Sequence, residues 1–229
     1  MRLGDVTPAG RLRLDALARY LQDVSNADTR DAGLANEMSW VVRRIVIDIH
    51  QHPVFGEELQ LSTYCGGIGG RWAERRVSVT GDQGGQVEVA TLWVHLDPYT
   101  LRPKALPPEF HGLFAEAANG RTVRARLEHA DPPGEHDARC ARASWPVRAA
   151  DFDLLLHVNN AAYWIPVEEV LARRPEPATP LRAELECRLP IEPADSVELV
   201  TVEDDGCGLA LWLVGSGGVF ASATVRARW

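Results

Sequence analysis

The sequence predicts an α+β protein built as two units in tandem, each a central helix wrapped by an antiparallel sheet. Three observations predict it. Apolar residues recur at helical spacing ahead of each half's strands. Alternating apolar runs bounded by glycine-rich turns follow each of those helices. The order of elements in the second half repeats that of the first, the signature of an internal duplication. A single amphipathic helix and a one-sided apolar sheet bury their apolar surfaces best against each other.

Leu14, Leu17, Ala18, Leu21 and Val24 mark one face of a helix from about Asp15 to Arg30, and Gly33 is placed to stop it. Trp40 to Ile49 reads as a strand with Ile45, Ile47 and Ile49 on one face and Arg44 and Asp48 on the other. Pro53 to Gly56 turns the chain, and Leu59, Leu61, Thr63 and Cys65 alternate as the next strand. Gly66-Gly67-Ile68-Gly69-Gly70 lacks the GxGxxG spacing and no helix follows it, so a bent strand or wide hairpin is expected rather than a phosphate loop. Arg71 to Thr80 and Gln86 to Asp97 form two more strands, and a short helix is expected near Glu109 to Ala118. The polar stretch from Gly120 to Asp137 reads as a crossover, across which the two halves share a sheet. The units are therefore 1–119, a linker 120–137, and 138–229.

The repeat is visible residue by residue. Ala18-Arg19-Tyr20 with Val24 matches Ala162-Tyr163 and Val167; Leu59, Leu61 and Thr63 match Val197, Leu199 and Thr201. Val89-Ala90-Thr91 through Val94 matches Phe220-Ala221-Ser222 through Val225.

A net charge of −8, with Lys104 the only lysine, argues against non-specific nucleic-acid binding. Cys65, Cys140, Cys187 and Cys207 show neither CxxC spacing nor paired histidines, so free thiols and no metal or cofactor are expected. Gly206 to Val225 is uncharged and long enough to span a bilayer, but Gly215-Ser216-Gly217-Gly218 in its middle reads as a hairpin turn. With no signal-like apolar stretch at the start, a soluble cytoplasmic protein with no membrane partner is expected.

Chemistry concentrates in Asp151-Phe152-Asp153-Leu154-Leu155-Leu156-His157-Val158-Asn159-Asn160. Two aspartates and a histidine precede a second helix, in which Tyr163, Trp164, Val167, Val170 and Leu171 share a face and Glu168 and Glu169 take the other. Asn159 and Asn160 suit an N-cap, and Pro166 imposes a kink or a late start. An imidazole and a carboxylate at a helix start can activate water beside free amides. The same residues can equally form a loop-bracing hydrogen bond.

This segment resembles the D-x-D-x-N-x-H-V-N-N signature of the acyl-ACP thioesterases of plants and bacteria. Glu186-Cys187 resembles that family's Glu-Cys pair, and Trp40 to Arg44, His52-Pro53, Phe55 to Glu57, Arg71 to Arg76, Leu92 to Val94 and Arg102 to Pro108 follow in family order. The resemblance covers nearly the whole chain. It implies a double hot-dog fold and thioester hydrolysis of fatty acyl-ACP, with Asp153, His157 and Glu186 catalytic and Cys187 an alternative nucleophile. In this reading His157, aided by Glu186, activates water, and amides near Val158 to Asn160 hold the oxyanion. An acyl carrier protein with its acyl-phosphopantetheine is the implied partner, docked by arginines such as Arg43, Arg44, Arg71, Arg75 and Arg76; a homodimer is also allowed. Leu14, Leu17, Leu21, Val24, Trp40 and Trp93 would line the acyl tunnel. Leu155 stands where the family has asparagine, and leucine neither donates nor accepts. Asn159 or Asn160 would then substitute, and Leu155→Asn is expected to raise the rate. The alternatives are an acyl-CoA thioesterase, or an acyl-binding protein that has lost activity.

Overall fold

The computed structural model describes residues 1–34, 38–203 and 208–227, so Cys207 lies outside the described residues. Helix α1 (Leu14–Asp31) buries Leu14, Leu17, Ala18 and Leu21 along one side. It ends as expected, with Gly33 at φ 73 supplying the left-handed residue that releases the chain from the helix. Strands β1 (Ser39–Gln51), β2 (Leu59–Ile68), β3 (Trp72–Gly81) and β4 (Gln86–Leu96) follow, then helix α2 (Pro108–Ala118). The second half holds β5 (Cys140–Trp145), helix α3 (Ile165–Leu171) and strands β6 (Leu181–Cys187), β7 (Val197–Glu203), β8 (Leu209–Gly215) and β9 (Gly218–Ala227).

Among the described residues the strands make one antiparallel sheet in the order β2-β3-β4-β1-β6-β9-β8-β7-β5. The duplication is written in that order. Reading outward from the central β1·β6 pair, β4, β3 and β2 on one side answer β9, β8 and β7 on the other. The sequence matches of β2 with β7 and of β4 with β9 are thus structural equivalences, and β5 is an addition at the edge. The halves join through β1 and β6, from Arg44↔Glu186 to Ile49↔Leu181. The uncharged stretch before Val225 is the β8–β9 hairpin, turning at Ser216 and Gly217.

Helices α1 and α3 pack on one face of the sheet, and a single apolar cluster runs from Leu12 to Val225 through both halves. Its largest fully buried side chain is Trp164. Pro166 lies in the first turn of α3, whose start is delayed by a 3-10 turn over Ala162–Trp164, as proline's missing N–H favours.

Glu168 departs from the expected solvent side. It is buried, accepts the Leu14 amide at 2.6 Å, and holds both terminal nitrogens of Arg11 at 3.1 and 2.7 Å. A side chain of the second half therefore caps the helix of the first, whose own N-cap residue Arg13 makes no side-chain cap.

The crossover is also placed differently from expectation. It adds no strand between β1 and β6 but lies as a strap across the sheet's other face. The Trp72 indole donates to Val123 O (2.7 Å), Arg44 pairs with Glu128 (2.9 Å), the Trp212 indole donates to Ala130 O (2.9 Å), and Arg142 donates to Pro133 O (2.9 Å). These contacts visit β3, β1, β8 and β5 in turn, nearly edge to edge. A sequence that must satisfy its own backbone over a finished sheet does so through such side chains.

Candidate active site

The segment 151–160 folds as a tight hairpin on the helix side of the sheet, closed by a bridge between Phe152 and Val158 whose side chains join the core. The Asp153 amide donates to His157 O (3.0 Å), the Leu156 amide donates to Asp153 O (3.0 Å), and Asp153 Oδ1 accepts the Leu155 amide (2.9 Å). Asp153 thus braces the loop that carries His157; both residues are half-buried. Leu154, Leu155 and Leu156 form the tip and are 101%, 70% and 66% exposed, with Leu156 at φ 58.

Leu155 therefore does not sit in the pocket where a family asparagine would be sought. Its side chain is in solvent.

Asn159 and Asn160 divide the amide work. The Asn159 side-chain oxygen accepts from Gln22 Nε2 (3.0 Å) of α1 and from the Ala161 amide (2.9 Å), fixing the loop against the first-half helix. Asn160 lines a small cavity of ≈ 20 Å³ with Ala161, Gln22, Thr91 and Trp93. Two of the amides expected to face an oxyanion are already used: Val158 donates to Ile191 O (3.1 Å) and Asn159 to Asp151 O (2.8 Å). That leaves the backbone amide of Asn160 as the unused donor of the three.

Beyond Trp93 and Ser25 lies a larger cavity of ≈ 260 Å³. Leu34, Met38, Trp40, Phe110 and Phe114 give it an apolar wall, Asn26, Thr29, Glu74 and Arg75 give it a polar one, and Ser25 and Trp93 line both spaces. A bulge in β1 at Arg43 sets this wall: the pairing with β4 skips from Val42 to Arg44, so Trp40 and Val42 face the helix side together with Ile45. Of the residues expected in a tunnel, Trp40 and Trp93 line the large cavity and Leu21 the small one, whereas Leu14 and Leu17 are plain core. Phe110 and Phe114 on α2 had no sequence signal beyond an amphipathic stretch.

Glu186 is not brought to His157, and the expected pairing is corrected. On β6, Ala183 and Leu185 face the helices while Glu184 and Glu186 face the strap. Glu186 is 0% exposed, and its carboxylate accepts the amides of Glu128 (2.6 Å) and His129 (3.1 Å). The His129 ring stands 4.0 Å from it and 2.9 Å from Ser222 Oγ. Burial holds the His129 imidazole below its ordinary pKa, so it is neutral near pH 7. The sheet lies between this cluster and the His157 loop.

Cys187 does face the helix side, but burial pushes its thiol up to about 12, which leaves no thiolate to attack with near neutral pH. The arginines expected to dock a partner are largely engaged. Arg43 donates to Cys187 O (2.8 Å), Arg44 pairs with Glu128 and Glu184, Arg75 with Asp28 and Arg76 with Glu74. Among the described residues no helix is long and apolar enough to cross a membrane, and no cluster of His, Cys, Asp or Glu could hold a metal ion.

Two helices packed on one face of a doubled antiparallel sheet are the tandem hot-dog fold. The chain superposes on the 12:0-ACP thioesterase from Umbellularia californica with a TM-score of 0.78 at 19% identity, covering 100% of this chain and 94% of that one. For an acyl-ACP thioesterase from Bacteroides thetaiotaomicron the TM-score is 0.76 at 18% identity, covering 98% and 93%. In sequence, the acyl-ACP thioesterase N-terminal domain matches residues 1–114 and the C-terminal domain residues 134–226. The chain belongs to the acyl-ACP thioesterase family. An uncharacterized protein of Mycobacterium tuberculosis is 30% identical over 223 residues, 97% of this chain and 87% of that protein. The chloroplastic palmitoyl-acyl carrier protein thioesterase of Gossypium hirsutum is 23% identical over 174 residues, 66% of this chain but 41% of its own length.

Proposed function

We propose that this protein hydrolyses fatty acyl thioesters carried on an acyl carrier protein, in the cytoplasm, with His157 as general base and Asp153 as the residue that positions it. The observation that carries the reading is that the His157 loop runs into Asn160 and Ala161, which line a small cavity, and that this cavity shares Ser25 and Trp93 with the larger one walled by Trp40 and Phe110. That is the layout a thioester needs: a base and a donor at one end, and an apolar channel for the chain at the other. Free Cys65, Cys140 and Cys187 suit a reducing compartment.

In the reaction His157 takes a proton from water as its oxygen bonds to the thioester carbonyl carbon. The Asn160 backbone amide donates to the oxygen that becomes negative. Collapse re-forms the carbonyl and breaks the carbon–sulfur bond; the thiolate leaves and receives a proton. A thiolate is a good leaving group, so the site needs no strong acid, and Glu186 is not required for one.

Single-turnover hydrolysis of one acyl-ACP by wild type and His157→Ala tests the reading. A fall of about a hundred-fold or more is expected on removing a general base. Equal rates would remove His157 from the mechanism. Acyl-CoA of the same chain, run beside the acyl-ACP, distinguishes the two carriers.

A further inference from the structure

The hairpin that carries His157 has a twin in the first half, and the two match bond for bond at one constant offset along the chain. The Thr7 amide donates to Arg11 O (2.8 Å) as the Asp153 amide does to His157 O (3.0 Å). Gly10 donates to Thr7 O as Leu156 does to Asp153 O, and Arg13 donates to Asp5 O as Asn159 does to Asp151 O. The bridge between Val6 and Leu12 answers that between Phe152 and Val158, and Gly10 at φ 87 answers Leu156 at φ 58. This register pairs Arg11 with His157, Leu14 with Asn160, and Gln22 of α1 with Glu168 of α3, a few positions from the helix match seen in the sequence.

The twins differ in what sits on the paired amides. In the first half Glu168 Oε1 accepts both the Leu14 amide (2.6 Å) and Arg11 Nη1 (3.1 Å), so the loop and the facing helix converge on one oxygen. That oxygen belongs to a carboxylate, the group a hydrolysed thioester becomes. It marks an oxygen-binding position that the protein has filled from within. In the second half the Asn160 amide makes no hydrogen bond among the described residues. Gln22 has turned instead to Asn159, donating from Nε2 to its side-chain oxygen (3.0 Å), and lines the small cavity beside Asn160. A carboxamide has the shape of a carboxylate but carries two N–H donors, of which that bond uses one. An imidazole is also shorter than an arginine side chain, so the position filled in the first half is left open in the second.

We infer, on the basis of the thioesterase reading above, that Gln22 is a further catalytic residue, whose second Nε2–H joins the Asn160 amide in holding the thioester's carbonyl oxygen as it becomes negative. The oxygen takes the place on Asn160 that Glu168 Oε1 takes on Leu14. Two fixed donors on one oxygen stabilise the charge as it develops, and a neutral amide brings no charge that would repel it. The site thus draws on both halves of the chain, the loop from the second and the donor from the helix of the first.

Single-turnover hydrolysis of one acyl-ACP compares wild type with Gln22→Met, which keeps the length of the side chain and removes the donor, and with Gln22→Glu. Gln22→Met is expected to slow the reaction about a hundred-fold, the effect of losing one oxyanion donor. Gln22→Glu should lose at least as much, since its carboxylate offers no donor and would close on the Asn160 amide as Glu168 closes on that of Leu14. Rates equal to wild type overturn the proposal. A second readout needs no turnover. On titrating laurate into nitrogen-15-labelled wild type, the Gln22 side-chain NH2 signals, assigned by their absence in Gln22→Met, should move together with the Asn160 backbone amide. A rate loss without that movement makes Gln22 only a brace for Asn159 and overturns the proposal as well. If wild type hydrolyses no acyl-ACP, the thioesterase reading fails; the laurate titration then still decides whether Gln22 and Asn160 share an oxygen site.

Discussion

Glu186 shows how one residue's surroundings decide between two roles. With 0% exposure and both carboxylate oxygens accepting strap amides, it is an anchor at the middle of the sheet. Glu186→Ala strands those two amides, and each buried donor left without a partner costs about 1–3 kcal/mol. Urea unfolding should show that loss, while the folded fraction keeps its kcat; a collapse of kcat at unchanged stability would return Glu186 to the chemistry. Leu155 gives the opposite lesson. Because its side chain is 70% exposed at the loop tip, Leu155→Asn restores no amide to the pocket, and the expected rate gain gives way to an expected null. A large rate increase in single-turnover hydrolysis would mean that the tip folds inward with substrate. Cys187→Ala should likewise retain turnover, since a thiol pushed up to about 12 is no nucleophile.

At the scale of elements, the strands and their equivalences were legible because a period of two and a repeated order survive in a bare sequence. Even the error over Glu186 was readable there. In Ala183-Glu184-Leu185-Glu186-Cys187 the alternation puts both glutamates on one face and the apolar residues on the core face, so Glu186 could not share the helix side with His157. What was not legible is the strap. It has no period, and its partners Arg44, Ser222 and Trp212 lie on distant strands. Glu168 capping α1 was hidden for the same reason, its partner Leu14 lying across the chain in the first half. Two partly buried histidines, His129 on the strap and His52 just after β1, carry a pH dependence. Burial lowers the pKa of His129 from 6.5, and burial with the nearby Arg11 lowers that of His52. As pH falls through 6.5 the unfolded chain takes up these protons first, so stability declines there and levels off below the folded pKa values. Asp5 and Asp15, held below 3.8 by their arginine and tyrosine bonds against the opposing effect of burial, give up their contribution only at more acid pH. Urea midpoints measured from about pH 8 to pH 5 should fall, and His129→Asn should flatten the decline. An unchanged slope would show that His129 titrates alike in both states.

For the whole molecule, the question is whether a duplicated chain unfolds as one body or two. Each half resembles a complete helix-and-sheet unit, and two matched domains could in principle melt apart. Three features argue otherwise. The apolar cluster is continuous, with Ile45, Ile47 and Ile49 of β1 in the same core as Ala183 and Leu185 of β6. The β1·β6 ladder makes each half's central strand the neighbour of the other's, so separating them would expose an unpaired edge at the middle of the sheet. Arg11 and Glu168 form a buried pair between the halves at 2.7 Å, and breaking it leaves two uncompensated charges. We therefore expect a single urea transition, with tryptophan fluorescence and far-UV circular dichroism superimposing. Trp40, Trp72 and Trp93 report on the first half, and Trp145, Trp164 and Trp212 on the second. Replacing the Trp164 indole, 0% exposed beneath α1 and α3, by Leu leaves a void in the shared core. If the halves are one cooperative body, Trp164→Leu lowers the midpoint seen by first-half tryptophans as much as that seen by second-half ones. A shift confined to the second half's signal would show that the duplicated units keep their independence.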